Sequence, residues 1–285
     1  MSSPTIERMQ STGAWPAGWY PWGQGAIRWW DGNEWTQHVA VRQHVVDPPR
    51  PPHPSHPLSL AVGSLGVILS SLIVSRYILD ALVTFHWPIA IYALLGGLLG
   101  YGPVIAFCWW GSRRWGTGSL RADSGTFLRS EDWGWGPVVW LCCLGAEIVL
   151  AVIIQFTNIP LKNNTEGVGD LRADRGYVIA LLVLAVVAAP IFEEIVFRGV
   201  VLRGLLTHMG PVAAIAVQAI VFGLAHFDPV RGTGNIGLIM VLSGVGAVLG
   251  GASYMFRRIG PTIIAHAFLN AIAMTLALTG WADGT

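Results

Sequence analysis

From residue 58 onward the chain alternates long apolar runs with short polar breaks, and the length of those runs dictates the fold class. Segments near the roughly 20 helical residues that cross a hydrocarbon core fall at 58–83, 88–110, 134–156, 176–202, 211–227, 235–256 and 261–280. They predict an all-α polytopic membrane protein of about seven transmembrane helices. The fourth run contains Glu193, Glu194 and Arg198, and the fifth is short. The count can therefore change by one, and a broken or re-entrant helix is compatible with the pattern.

Ahead of these runs the pattern is different. Residues 18–39 read Gly18-Trp19-Tyr20-Pro21, then Arg28-Trp29-Trp30-Asp31-Gly32, then Trp35-Thr36. Asp-Gly between two aromatic-rich runs is a hairpin signal, and the indole rings can supply the core of a very small β module. The segment resembles a tryptophan-rich module of unknown function found at the N-termini of bacterial membrane proteins. Tryptophans packing on one another is favoured over a peptide-binding groove. Pro48, Pro49, Pro51, Pro52, Pro54 and Pro57 follow, and their fixed φ favours an extended linker. The expected organisation is a β module at 1–47, a proline-rich linker at 48–57 and a transmembrane domain at 58–285.

Composition strengthens the membrane reading. Of 285 residues, 53% are hydrophobic and 12% charged, against roughly a quarter charged in soluble domains. Net charge is +1, so no strong field points to nucleic acid, and the partner implied is the lipid bilayer. Cys108, Cys142 and Cys143 lie inside apolar runs without CxxC spacing and read as small core hydrophobes. No apolar stretch with a small-residue cleavage site occurs in the first 57 residues, so no signal peptide is expected. Arginine outnumbers lysine sixteen to one, which hints at a GC-rich bacterial genome.

Positive charge near the span ends sets orientation. With the N-terminus inside, Arg42, Arg50, Arg113, Arg114, Arg121, Arg129, Arg203, Arg257 and Arg258 lie inside, and Lys162, Arg172, Arg175 and Arg231 lie outside. Nine against four favours a multi-pass protein of the cell membrane with a cytoplasmic N-terminus. Seven spans would then leave the C-terminus outside. A cytoplasmic protein partner of the tryptophan module fits that placement.

Ionisable side chains inside spans cost at least about 2.5 kcal/mol each and are functional hypotheses by default. Arg76 and Asp80, four apart, can pair along one helix face. Glu147 stands alone in the third span and is given no catalytic role. In the fourth span Glu194 and Arg198 are at i and i+4 and can form an intrahelical ion pair, leaving Glu193 about 100° away without a local partner. Two readings of that segment stay open: a desolvated carboxylate serving as base or acid, or two glutamates binding arginines on neighbouring helices. Phe222 to His226 lies in the fifth span and His266 to Asn270 in the seventh, where His266 and Asn270 are one turn apart. Three such segments within a hundred residues favour convergence on a site. Depth along each helix, at 1.5 Å per residue from the inner ends, is about 15 Å for Glu193, 14 Å for Asn270, 22 Å for His226 and 8 Å for His266. Two of these agree and two do not.

The ordered set EExxxR at Glu193–Arg198, FxxxH at Phe222–His226 and HxxxN at His266–Asn270 resembles the CAAX prenyl endopeptidase and bacteriocin-processing (CPBP) family of intramembrane proteases, over about residues 177–276. The first three spans match it only in being hydrophobic. The resemblance implies an intramembrane endopeptidase in which Glu193 and His226 activate water and His266 and Asn270 stabilise the oxyanion. Glu194, Arg198 and Phe222 are implied as supporting residues. The motifs by themselves fit a site with or without a metal. If zinc were used, Glu193, His226 and His266 would be its ligands, but no HExxH is present and the metal-free mechanism is favoured. The substrate implied is a peptide or membrane-anchored protein. The alternatives are a catalytically silent scaffold or bacteriocin-immunity protein and, less favoured, a transporter.

Overall fold

The computed structural model describes residues 16–22, 26–41, 57–165 and 168–279. The linker before Pro57 and the inner arginines Arg42 and Arg50 lie outside them. The chain divides into two compact units, Met1–Arg50 and Pro51–Thr285.

The first unit is a three-stranded antiparallel sheet, β1 (Gly18–Trp22), β2 (Ala26–Trp30) and β3 (Trp35–Val41), in the order β1-β2-β3. Trp30 pairs with Trp35 across the second hairpin. Its turn is built by Asp31, whose carboxylate accepts from the N–H groups of Asn33 and Glu34 at 2.7 Å each, while Gly32 takes φ +105°, which favours glycine. The N–H groups of Glu34 and Asn33 hold the Asp31 carboxyl below its usual value. Trp19 packs on Trp29 at 5.5 Å and Trp22 on Trp35 at 5.3 Å between ring centroids, with the Arg28 guanidinium 4.5 Å over the Trp22 ring. The tryptophans therefore pack on each other.

The second unit is helical: α1 (Pro57–Leu82), α2 (Ile89–Trp115), the short α3 (Leu120–Ser124), α4 (Asp132–Thr157), α5 (Arg175–Leu205), α6 (Pro211–Leu224), α7 (Asn235–Phe256) and α8 (Gly260–Thr279). Among the described residues six helices are long and apolar enough to cross a membrane, and α6 is a shorter apolar helix. The protein is a multi-pass membrane protein. At 14 residues α6 rises about 21 Å, short of a hydrocarbon core of roughly 30 Å.

Loop contacts show which helix ends lie together. At one end Arg203 donates to the carbonyls of Arg257 (2.8 Å) and Asp123 (3.3 Å), Arg258 pairs with Asp132 (2.7 Å), and the Ile259 N–H donates to Gly125 (3.2 Å). At the other, the Lys162 N–H donates to Gly234 and the Gly237 N–H to Pro160. Hence α6 starts at the arginine-rich end and leads, through the loop after it, to the opposite end. The seven-run pattern is kept, with one member too short to span alone. Arg76 and Asp80 pair at 3.0 Å on an exposed face of α1.

Deletion of residues 1–50 is expected to leave the thermal unfolding of the helical unit in detergent unchanged, because that unit holds its own core. A drop of several degrees would show that the tryptophan module contributes to it.

Candidate active site

Local backbone on α5 prepares the site. Residues Val183–Ala188 and Glu194–Val201 are wound as π-helix, a widened turn with i to i+5 hydrogen bonds that often marks functional sites. In the first stretch the Ala189 N–H reaches Leu184 O. The i+5 donor for Ala185 would be residue 190, which is proline and has no N–H. Asn270 on α8 fills that role, its Nδ2 donating to Ala185 O at 2.7 Å. Gly199 is needed in the second stretch: a Cβ there would meet the Ser124 side chain at 2.5 Å, so only glycine lets α3 close against α5.

Glu193 and Glu194 separate as their 100° offset requires. Glu194 Oε1 lies 2.9 Å from Arg198 NH1, with both side chains fully buried, and accepts from His266 Nδ1 at 3.0 Å. It does not line the cavity. Glu193 faces a cavity of about 570 Å³ that is also lined by His226, His266 and Asn270. Its Oε1 accepts a hydrogen bond from the Tyr101 hydroxyl at 2.7 Å. Its Oε2 makes no hydrogen bond and lies 3.8 Å from both His226 Nε2 and His266 Nε2.

The other ring nitrogens define what the imidazoles offer. His226 follows the end of α6, where the last carbonyls lack helical partners, and its Nδ1 donates to Phe222 O at 2.8 Å. His266 Nδ1 donates to the Glu194 carboxylate. In the neutral rings both Nε2 atoms therefore carry a lone pair directed toward Glu193. Phe222 is the hub behind them: its ring sits 4.8 Å from His226, 6.0 Å from His266 and 5.1 Å from Phe197, with the Arg198 guanidinium 4.2 Å over its face.

The depth mismatch disappears in three dimensions, because the ends of α5 and α8 are not level. Asn270, ten residues into α8, meets Ala185, twenty residues from the end of α5. Counting from each helix's own end has no common origin. The Asn270 amide has one donor committed to the π-turn. The hydrogen bond to Glu193 comes from outside its own helix, from Tyr101 on α2. A hydroxyl-bearing aromatic between Gly100 and Gly102 in an apolar run was the available signal.

Residues 175–272 match the family model described as Type II CAAX prenyl endopeptidase Rce1-like. The region is Rce1-like. Residues 17–56 match a family described only as a protein of unknown function, DUF2510. No curated protein and no solved structure matches the chain. The Rce1-like region contains both glutamates, Arg198, Phe222, both histidines and Asn270, while Tyr101 lies before it.

The donor types of Glu193, His226 and His266 would suit zinc, but their spacing does not. Ligands of a tetrahedral zinc lie about 3.3 Å apart, from bonds of about 2.0–2.1 Å, whereas both edges from Glu193 Oε2 are 3.8 Å. Among the described residues no group of three or more His, Cys, Asp or Glu is gathered to hold a metal.

Tyr101→Phe is expected to lower kcat about tenfold with little change in KM and to lower the unfolding temperature by a few degrees, because it removes a hydrogen bond to a charged group worth about 1.5–3 kcal/mol. Unchanged kcat would remove Tyr101 from the site.

Proposed function

We propose that the Rce1-like region is an intramembrane endopeptidase in which Glu193 and His226 act together as general base on a water molecule. The observation that carries this reading is Glu193 Oε2, a buried carboxylate oxygen with no protein hydrogen bond, facing the Nε2 of two histidines at 3.8 Å. Two acceptors at that spacing fit one bridging water, which donates one hydrogen to Glu193 and one to His226. Attack on a peptide carbonyl transfers a proton to this pair, which returns it to the leaving amine.

His266, in its protonated form, donates Nε2–H to the oxyanion, and Glu194 at Nδ1 orients and supports it. Asn270 ties α8 to the π-turn of α5 and retains a second amide hydrogen for the same oxyanion. Tyr101 holds Glu193 Oε1 so that Oε2 is the oxygen turned toward the histidines. The substrate is a peptide or membrane-anchored protein, the N-terminus is cytoplasmic, and the tryptophan module serves partner choice or location.

Membrane peptides would be compared between cells carrying the wild-type protein and cells carrying Glu193→Gln, and the fragments that disappear would be resynthesised and hydrolysed by purified protein. Hydrolysis that survives exhaustive chelation and is not raised by added zinc supports the metal-free form. Identical peptide profiles would instead favour a silent scaffold.

A further inference from the structure

Glu147 belongs to the same cavity, and nothing in the proposed reaction uses it. It is the one carboxylate of α4 beyond the first turn, half-buried, with its side chain in the wall that also carries Glu193, His226 and His266. Among the described residues it makes no hydrogen bond or ion pair. Arg198, the cation deepest in α5, is taken by Glu194. An unpartnered carboxylate in an apolar helix is costly, and in membrane proteins such groups face a path travelled by charge.

Two further observations say what travels there. Asn163 and Asn164, exposed residues of the loop after α4, line the cavity too, so it continues from Glu193 to that end of the bundle. Glu147 lies ten residues before the end of α4 at Thr157, about 15 Å by helical rise from the loop that forms that mouth. Among the described residues the cavity wall contains the carboxylates Glu147 and Glu193 and the imidazoles His226 and His266, but no lysine or arginine. Even with His266 protonated the two carboxylates leave the wall net negative, and a concave, low-dielectric space of net negative charge concentrates cations.

We propose that Glu147 is the cation-recognition position of this cavity: it receives an ammonium or guanidinium group carried by the peptide within a few residues of the bond hydrolysed. This rests on the endopeptidase reading above for its placement beside a scissile bond. Most of the remaining wall is aliphatic or aromatic, with neutral polar groups at the reacting end and at the mouth, so the peptide accepted is mainly hydrophobic with one cationic residue or a free N-terminal ammonium near its reactive end.

The test uses the full-length protein in vesicles of neutral phospholipid and a set of apolar spanning peptides that differ at one position at a time, carrying lysine, norleucine or glutamate. Wild-type protein should cleave the best lysine peptide about tenfold more efficiently in kcat/KM than its norleucine counterpart. Glu147→Gln should bring that ratio close to one, and Glu147→Lys should turn the preference toward glutamate. Cleavage without charge preference, or a preference kept in Glu147→Gln, overturns the proposal while leaving the endopeptidase reading intact. Should no peptide be cleaved, binding of the labelled peptides to Glu193→Gln protein separates the two: tighter binding of lysine than norleucine that vanishes in Glu193→Gln/Glu147→Gln supports the cation site alone, and equal binding overturns it.

Discussion

Glu193→Gln is expected to reduce peptide hydrolysis by about 10²–10⁴-fold, the range contributed by a positioned general acid–base group, with the fold intact. Glutamine is isosteric, and its amide oxygen can still accept from the Tyr101 hydroxyl that now binds Oε1. What is lost is the basic oxygen facing His226 and His266. The measurement is single-turnover cleavage of an identified substrate by protein in vesicles, with thermal unfolding measured on the same samples. Glu193→Ala would be a poorer test, since it also removes the tie between α2 and α5. Retention of more than a few per cent of the wild-type rate in Glu193→Gln would eliminate the general-base role.

Arg198→Ala is expected to act on stability first. Glu194 and Arg198 are both fully buried, and removing the cation strands a carboxylate in low dielectric with only His266 and the Thr262 hydroxyl beside it. Breaking one side of such a pair costs about 3–5 kcal/mol. Loss of the guanidinium also empties the space over the Phe222 ring, on which both histidines pack. The unfolding temperature should fall on the order of 10 °C. Arg198→Ala/Glu194→Gln should recover part of that loss, because no charge is then left unpaired. Normal melting of Arg198→Ala with activity abolished would show that the pair takes part in the reaction.

How much of the site was legible follows from the range of each interaction. The Glu194–Arg198 pair is one turn of one helix, so spacing alone predicted it, and the 100° offset that sends Glu193 to a different face is equally local. The three motif segments were readable because buried polar groups are rare in apolar helices. Tyr101 was not readable as a partner of Glu193: ninety-two positions separate them, and a tyrosine in an apolar run has many uses. Nor was the role of Asn270. It depends on the helix widening at Val183–Ala188, where Pro190 leaves Ala185 without its donor, and on α8 lying alongside that turn.

By itself the sequence determined the membrane class, the position of each apolar helix to within a few residues, the small aromatic sheet and the residues able to carry chemistry. These rest on run length, residue type and neighbours within one turn. The tertiary structure decided which polar groups meet. It showed that α6 is a short helix whose end delivers His226 beside Glu193, that His266 is held by Glu194, and that α2 and α4 bring Tyr101 and Glu147 to the same cavity. Contacts between helices depend on their relative offset and crossing, and residue depth counted along separate helices has no shared zero until they are packed together.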